Sequence, residues 1–165
     1  MCYGRYNMNS GNFTQKAQEA LFQAQNLAQE RGQQQVDAVH LLYALLAQED
    51  SVILTLLQRV GADLEGLKRR TGTALDRLPV VASVNPFGQF YLTQDLAKIL
   101  ERARQEAGKM GDDYISVEHL FLSILDTNSK AKEVIEKTTF LQDGGGSPEL
   151  EFGKLDYEGT LKILA

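Results

Sequence analysis

The sequence of 165 residues predicts an all-α fold in which one four-helix unit is used twice, related by a pseudo-twofold axis. Three observations carry this. Apolar residues recur at spacings of three and four, the period of a helix with one buried face. No stretch alternates with period two for long enough to make a strand. Sliding the chain along itself by 79 residues, the step from Thr14 to Thr93, aligns its first two helical segments without a gap.

The first helix is predicted over 13 to 31, where Phe13, Ala17, Ala20, Leu21, Ala24, Leu27 and Ala28 draw one stripe. Thr14 can cap its start and Gly32 can end it in the left-handed conformation common at helix C-termini. A second helix opens at Asp37 with Leu41, Leu42, Leu45 and Leu46 facing inward. Val52, Ile53, Leu56, Leu57 and Val60 give a short third helix closed by Gly61, and a fourth runs from Asp63 to about Arg77.

In the repeat, Leu21 falls on Leu100, Ala24 on Ala103, Gly32 on Gly111, Val36 on Ile115, and His40-Leu41 on His119-Leu120. The third helix returns weakly as Ala131 to Lys137. The start of the fourth returns at Asp156, 14 residues late. These matches set the expected organisation: an extension over 1–11, a first repeat over 12–78, a join over 79–92 and a second repeat over 93–165. The insertion at about 141–152 contains Gly144-Gly145-Gly146-Ser147-Pro148 and reads as an exposed loop. The join carries Val80, Val81, Val84, Phe87, Phe90 and Tyr91 between Pro79, Pro86 and Gly88. It is either a strap packed across both repeats or a surface that touches a partner.

Composition narrows the function. Cys2 is the single cysteine, which excludes an intrachain disulfide and a cysteine zinc site and suits a reducing compartment. Seventeen Lys and Arg against 22 Asp and Glu give a net charge of -5, so nucleic-acid binding is not expected. No apolar run approaches the ~20 residues of a membrane span, and the first residues lack a signal-like apolar stretch. The expectation is a soluble, cytoplasmic protein that contacts no membrane.

No catalytic constellation appears. His40 and His119 occupy equivalent positions, each near the start of an apolar helix, and read as side chains bonded to a neighbouring loop. No His or Cys cluster accompanies them to hold a metal. The serines fall on caps, helix faces and loops, and the triple glycine is not followed by a phosphate-loop Lys. The densest polar stretch runs from Gly111 to Leu120. Ser116 can cap the following helix, and Glu118 in its first turn suits the positive end of the helix dipole. Asp112 and Asp113 are then either solvated turn residues or, with Thr14, part of a polar rim where a peptide docks.

Together, the doubled unit, the Leu78-Pro79-Val80-Val81 join and Met110-Gly111-Asp112-Asp113-Tyr114-Ile115-Ser116-Val117-Glu118-His119-Leu120-Phe121-Leu122 resemble the Clp amino-terminal repeat domain. The likeness covers about 12–140 and resumes over 156–165. Within that family the protease-serving ClpC type has Gly-Thr-Glu-His at the second-helix start of both copies. Here the first copy reads Asp37-Ala38-Val39-His40, so a paired-carboxylate site for phosphorylated arginine would lack half its ligands. The ClpB disaggregase type is the better match.

That resemblance implies a binding domain, not an enzyme. It would recruit unfolded or aggregated polypeptide for the pore of an ATP-driven hexamer. The ATPase modules, with their ATP and magnesium, would lie outside this sequence, so no cofactor is expected in it. It further implies a monomeric isolated domain and cooperating chaperones that contact other domains. Carried over by position, Thr14, Asp112 and Glu118 match polar residues linked to substrate handling, and Leu100 matches an apolar groove position. Phe87 and Phe90 in the join complete the expected substrate-binding set. The competing expectations are a docking module for a folded adaptor of a Clp protease, and a scaffold with no affinity for polypeptide.

Overall fold

The computed structural model describes residues 12–81, 91–138 and 157–164. Along the chain come α1 (Gln15–Glu30), β1 (Gln35–Val36), α2 (Ala38–Ala47), α3 (Val52–Arg59), α4 (Leu64–Asp76), β2 (Tyr91–Leu92), α5 (Gln94–Lys109), α6 (Val117–Asp126), α7 (Lys130–Glu136) and α8 (Tyr157–Leu164). The 79-residue shift carries α1 onto α5 and α2 onto α6 end to end.

The local chemistry repeats with the elements. Thr14 Oγ1 accepts from the Ala17 amide at 3.2 Å to open α1, and Thr93 Oγ1 accepts from the Leu96 amide at 3.3 Å to open α5. Each hydroxyl satisfies one of the amides that a helix start leaves without an intrahelical acceptor. Gly32 and Gly111 follow the ends of α1 and α5 with φ of 67° and 73°, a conformation that a Cβ disfavours. The whole predicted stripe of α1 is buried, as are Leu96, Ile99, Leu100, Ala103 and Ala107 on α5.

The copies clasp one another. β1 pairs in parallel with β2, Gln35 opposite Tyr91 and Val36 opposite Leu92. The isolated bridge between Phe13 and Ile115 is the same pairing with the copies exchanged. The segment leading into the first helix of each copy is thus bonded to the segment leading into the second helix of the other. The Thr14 amide donates to the Ile115 carbonyl at 2.9 Å and the Thr93 amide to the Val36 carbonyl at 3.0 Å. Two-residue strands are too short to leave an alternating pattern, which is why the sequence showed none.

Helix packing follows the same exchange. α3 packs against α6 and α7 against α2, while α4 covers α2 and α8 covers α6. One continuous core joins the halves through Leu42, Leu45, Ile99, Leu120 and Phe121, all fully buried. Burial of each such side chain contributes on the order of 1.5–3 kcal/mol. At the edge, the Tyr157 hydroxyl donates to Glu106 Oε1 at 2.8 Å and ties α8 to α5. Burial, then the Glu106 carboxylate beside it, pushes the phenol up to about 12.

The expected extension over 1–11, the insertion at 141–152 and join residues 82–90, including Phe87 and Phe90, lie outside the described residues. No described helix is long and apolar enough to cross a membrane.

A polar cleft between α3 and the start of α6

Two histidines organise the helix starts beside the seam. In the first copy, His40 Nδ1 accepts from the Asp37 amide at 2.9 Å, which leaves the proton on Nε2 to be donated to Gln33 Oε1 at 2.6 Å. In the second copy, His119 Nδ1 accepts from the Ser116 amide at 2.8 Å, and Nε2 donates to the Asp112 carboxylate at 3.0 Å. The Nδ1 contact fixes the neutral tautomer in both. Each imidazole therefore does what a capping-box Glu or Gln does at the third helical position, and holds the loop seven residues upstream. The expected bond to a neighbouring loop is present; its acceptor is a side chain rather than a main-chain carbonyl.

From here the copies differ. Gln33, Asp37, Val39 and His40 are all buried. Gln33 Nε2 donates to the Leu75 carbonyl at 2.8 Å, which ties the first copy's loop to the end of α4 and leaves beside Gln33 and Asp37 a smaller cleft of about 210 Å³. Burial lowers the His40 pKa to about 4, partly opposed by the Asp37 charge. In the second copy the equivalent ground is more open. The Asp112 side chain is 52% exposed, and a cleft of about 280 Å³ separates α3 from the loop and first turn of α6.

Val52, Thr55, Leu56 and Arg59 of α3 form one wall of the cleft; Met110, Asp112, Ser116, Glu118 and His119 form the other. Its chemistry is mixed. Val52 and Met110 are exposed apolar groups at the rim, Leu56 is buried at the floor, and Arg59 faces a wall carrying Asp112 and Glu118. Glu118 is the second residue of α6, where unpaired amides and the helix dipole favour a carboxylate. Such a cleft accepts one or two side chains of an extended chain and offers its backbone both donors and acceptors. Among the described residues, no group of three or more His, Cys, Asp or Glu could hold a metal ion.

The structure sorts the expected site residues. It brings Asp112 and Glu118 together in this cleft. Thr14 stands beside it: its amide bonds Ile115, next to Ser116, while its hydroxyl caps α1. Leu100 is a correction. It is fully buried on the inner face of α5, where the core stripe requires it, and lines none of the clefts described among these residues. Of the join, Val80 is 66% exposed and Val81 donates its amide to the Gly32 carbonyl at 3.0 Å. Sequence reasoning missed Val52, Thr55 and Arg59, because they reach the site from the other copy. Their spacing on the less buried side of α3 was the available signal.

The profile of the Clp repeat (R) N-terminal domain matches residues 12–138. The chain belongs to this family. It is 36% identical over 137 residues to the chaperone protein ClpB of Bacillus cereus, covering 82% of this chain and 16% of that protein. It is 38% identical over 128 residues to ClpB of Pseudomonas putida, covering 78% and 15%. The chain thus spans about a sixth of the length of these ClpB relatives.

Its fold is that of other Clp N-domains. The Hsp104 N-terminal domain of Candida albicans superposes with a TM-score of 0.67 at 20% identity, covering 76% of this chain and 81% of that one. The N-terminal domain of ClpD from Arabidopsis thaliana gives 0.61 at 18% identity, covering 93% and 98%. As a Clp N-domain, the chain is a small binding domain rather than a catalytic one.

Proposed function

We propose that this chain is the substrate-recruiting domain of a ClpB-type disaggregase, capturing unfolded or aggregated polypeptide in the cleft between α3 and the start of α6. The observation that carries the reading is the convergence of Asp112, Glu118 and Arg59 on a cleft with an apolar rim. An unfolded chain presents backbone amides, carbonyls and apolar side chains in no fixed order. A short mixed cleft binds such a ligand weakly and with little sequence preference, which permits release. Captured polypeptide passes to the pore of a cytoplasmic hexamer, whose ATP and magnesium belong to ATPase modules outside this sequence. The domain itself uses no cofactor and acts as a monomer; cooperating chaperones meet other parts of the assembly.

The alternative, an adaptor-docking domain of a ClpC- or ClpA-type unfoldase, has less support, because the ClpC type's paired carboxylates for phosphorylated arginine are incomplete here. Val39 stands where the second carboxylate would be, and it is fully buried.

The reading is tested by fluorescence anisotropy of a labelled, permanently unfolded polypeptide titrated with the chain. Saturable binding at micromolar to millimolar concentration that is lost in Glu118→Lys supports it. Binding unchanged by Glu118→Lys contradicts it.

A further inference from the structure

A second cleft lies across the seam, where α4 of the first copy meets α7 of the second. It measures about 380 Å³ and is lined by Arg70, Thr73, Ala74 and Arg77 from α4 and by Lys130, Glu133, Val134 and Lys137 from α7. Four cations thus surround one carboxylate on a chain whose net charge is -5, so the sign of the surface is inverted locally. None of the four forms an ion pair with a described residue, while other cations of the chain do: Arg31 with Asp76, Arg102 with Asp126, Arg104 with Glu101 and Lys109 with Glu106.

Arg70 adds geometry to charge. Its Nε and Nη2 are buried with no hydrogen-bond partner among the described residues. These are the two parallel donors on the side of a guanidinium that grip a carboxylate. Arg104 uses the same pair on Glu101, at 3.1 and 2.5 Å. Buried donors left unpaired are costly, so an acceptor that draws the Arg70 fork into the cleft gains more than it would at an exposed cation. Ala74 and Val134, half-buried between the cations, supply an apolar patch.

We infer that the α4/α7 cleft is a second docking site, for an acidic polypeptide segment that carries aliphatic side chains among its carboxylates. The size and the lining favour this occupant over nucleic acid. A cleft of about 380 Å³ with Glu133 inside it cannot track a phosphate backbone, whereas it matches a few residues of an extended chain. Because one wall belongs to each copy, the ligand bridges the two halves of the domain.

The test is anisotropy of a labelled peptide of alternating Glu and Leu, titrated with the full chain at low salt. A peptide of the same spacing with Lys for Glu is the control, and a single-stranded oligonucleotide of equal length is a second probe. The expected result is saturable binding of the Glu peptide, at least tenfold tighter than either comparison and weakened by raising salt to 0.5 M. The exposed pair Arg77→Glu/Lys130→Glu should weaken it at least tenfold with an unchanged circular-dichroism melt. No binding of the Glu peptide, equal binding of the Lys peptide or the oligonucleotide, or full affinity in the folded reversal variant would each overturn the inference.

Discussion

The Thr93 hydroxyl donates to the Asp37 carboxylate at 2.7 Å, across 56 residues of chain and from one repeat to the other. Both residues are helix caps. Asp37 also accepts from the Val39 amide at 3.3 Å to start α2, and Thr93 from the Leu96 amide to start α5. One short network therefore begins two helices and locks the β1–β2 side of the clasp.

Asp37→Ala and Thr93→Ala should each destabilise the fold by about 1–2 kcal/mol, the usual cost of a lost cap. Their effects should not add: a double-mutant cycle by urea unfolding is expected to return about 1 kcal/mol of coupling. Additive losses would mean that the cross-repeat bond contributes nothing.

His40 should give the domain an acid limit. Its pKa is lowered by burial to about 4 against an ordinary 6.5, so below pH 6.5 the unfolded chain takes up a proton that the folded one refuses. Stability is therefore full above about 6.5, falls as pH drops toward 4, and levels off below. The loss from this group is on the order of 3 kcal/mol. His40→Gln keeps a capping-box side chain and removes the titration. Urea midpoints at pH 7 and pH 4.5 should differ by more in the native chain than in this variant.

The two copies should respond in opposite ways to a carboxylate at the same place. Glu118→Gln should lower affinity for unfolded polypeptide several-fold and shift the melting temperature by under about 2 °C, as for a half-buried position outside the core. Val39→Glu places a charge at a fully buried site and should cost several kcal/mol, or leave the chain unfolded, without adding a binding site. Thermal melts with the same binding titration separate the two.

Leu100 and Val52 make a third contrast. Leu100→Ala empties a fully buried position and should cost about 2–5 kcal/mol. Val52→Ala, at the exposed rim of the cleft, should cost under about 1 kcal/mol and weaken polypeptide binding. Equal destabilisation by both would deny that Val52 belongs to a surface site.

The fold was largely legible because its determinants are local. Thr14, Asp37 and Thr93 are good caps, Gly32 and Gly111 good stops, and the stripe of α1 is unbroken. The repeat added the pairing of halves, though not its manner. The exchange of lead-in segments, Phe13 with Ile115 and Val36 with Leu92, depends on backbone bonds that side-chain patterns do not report. The site was half legible. Asp112 and Glu118 stand close in sequence and share a wall, whereas Arg59 meets them only through folding. Leu100 was assigned to a groove from the resemblance alone, although its match to Leu21 in the repeat puts it in the buried stripe. The tie between the first copy's loop and α4 also escaped the sequence, since it depends on how the end of α4 lies against Gln33.

The most direct test is heteronuclear NMR of the isotope-labelled chain titrated with an unfolded polypeptide. Amide shifts should concentrate at Val52, Thr55, Arg59, Asp112 and Glu118, with the first copy's Gln33, Val39 and His40 unmoved. Shifts that avoid the α3/α6 cleft, or that appear equally at the buried counterpart in the first copy, would contradict it.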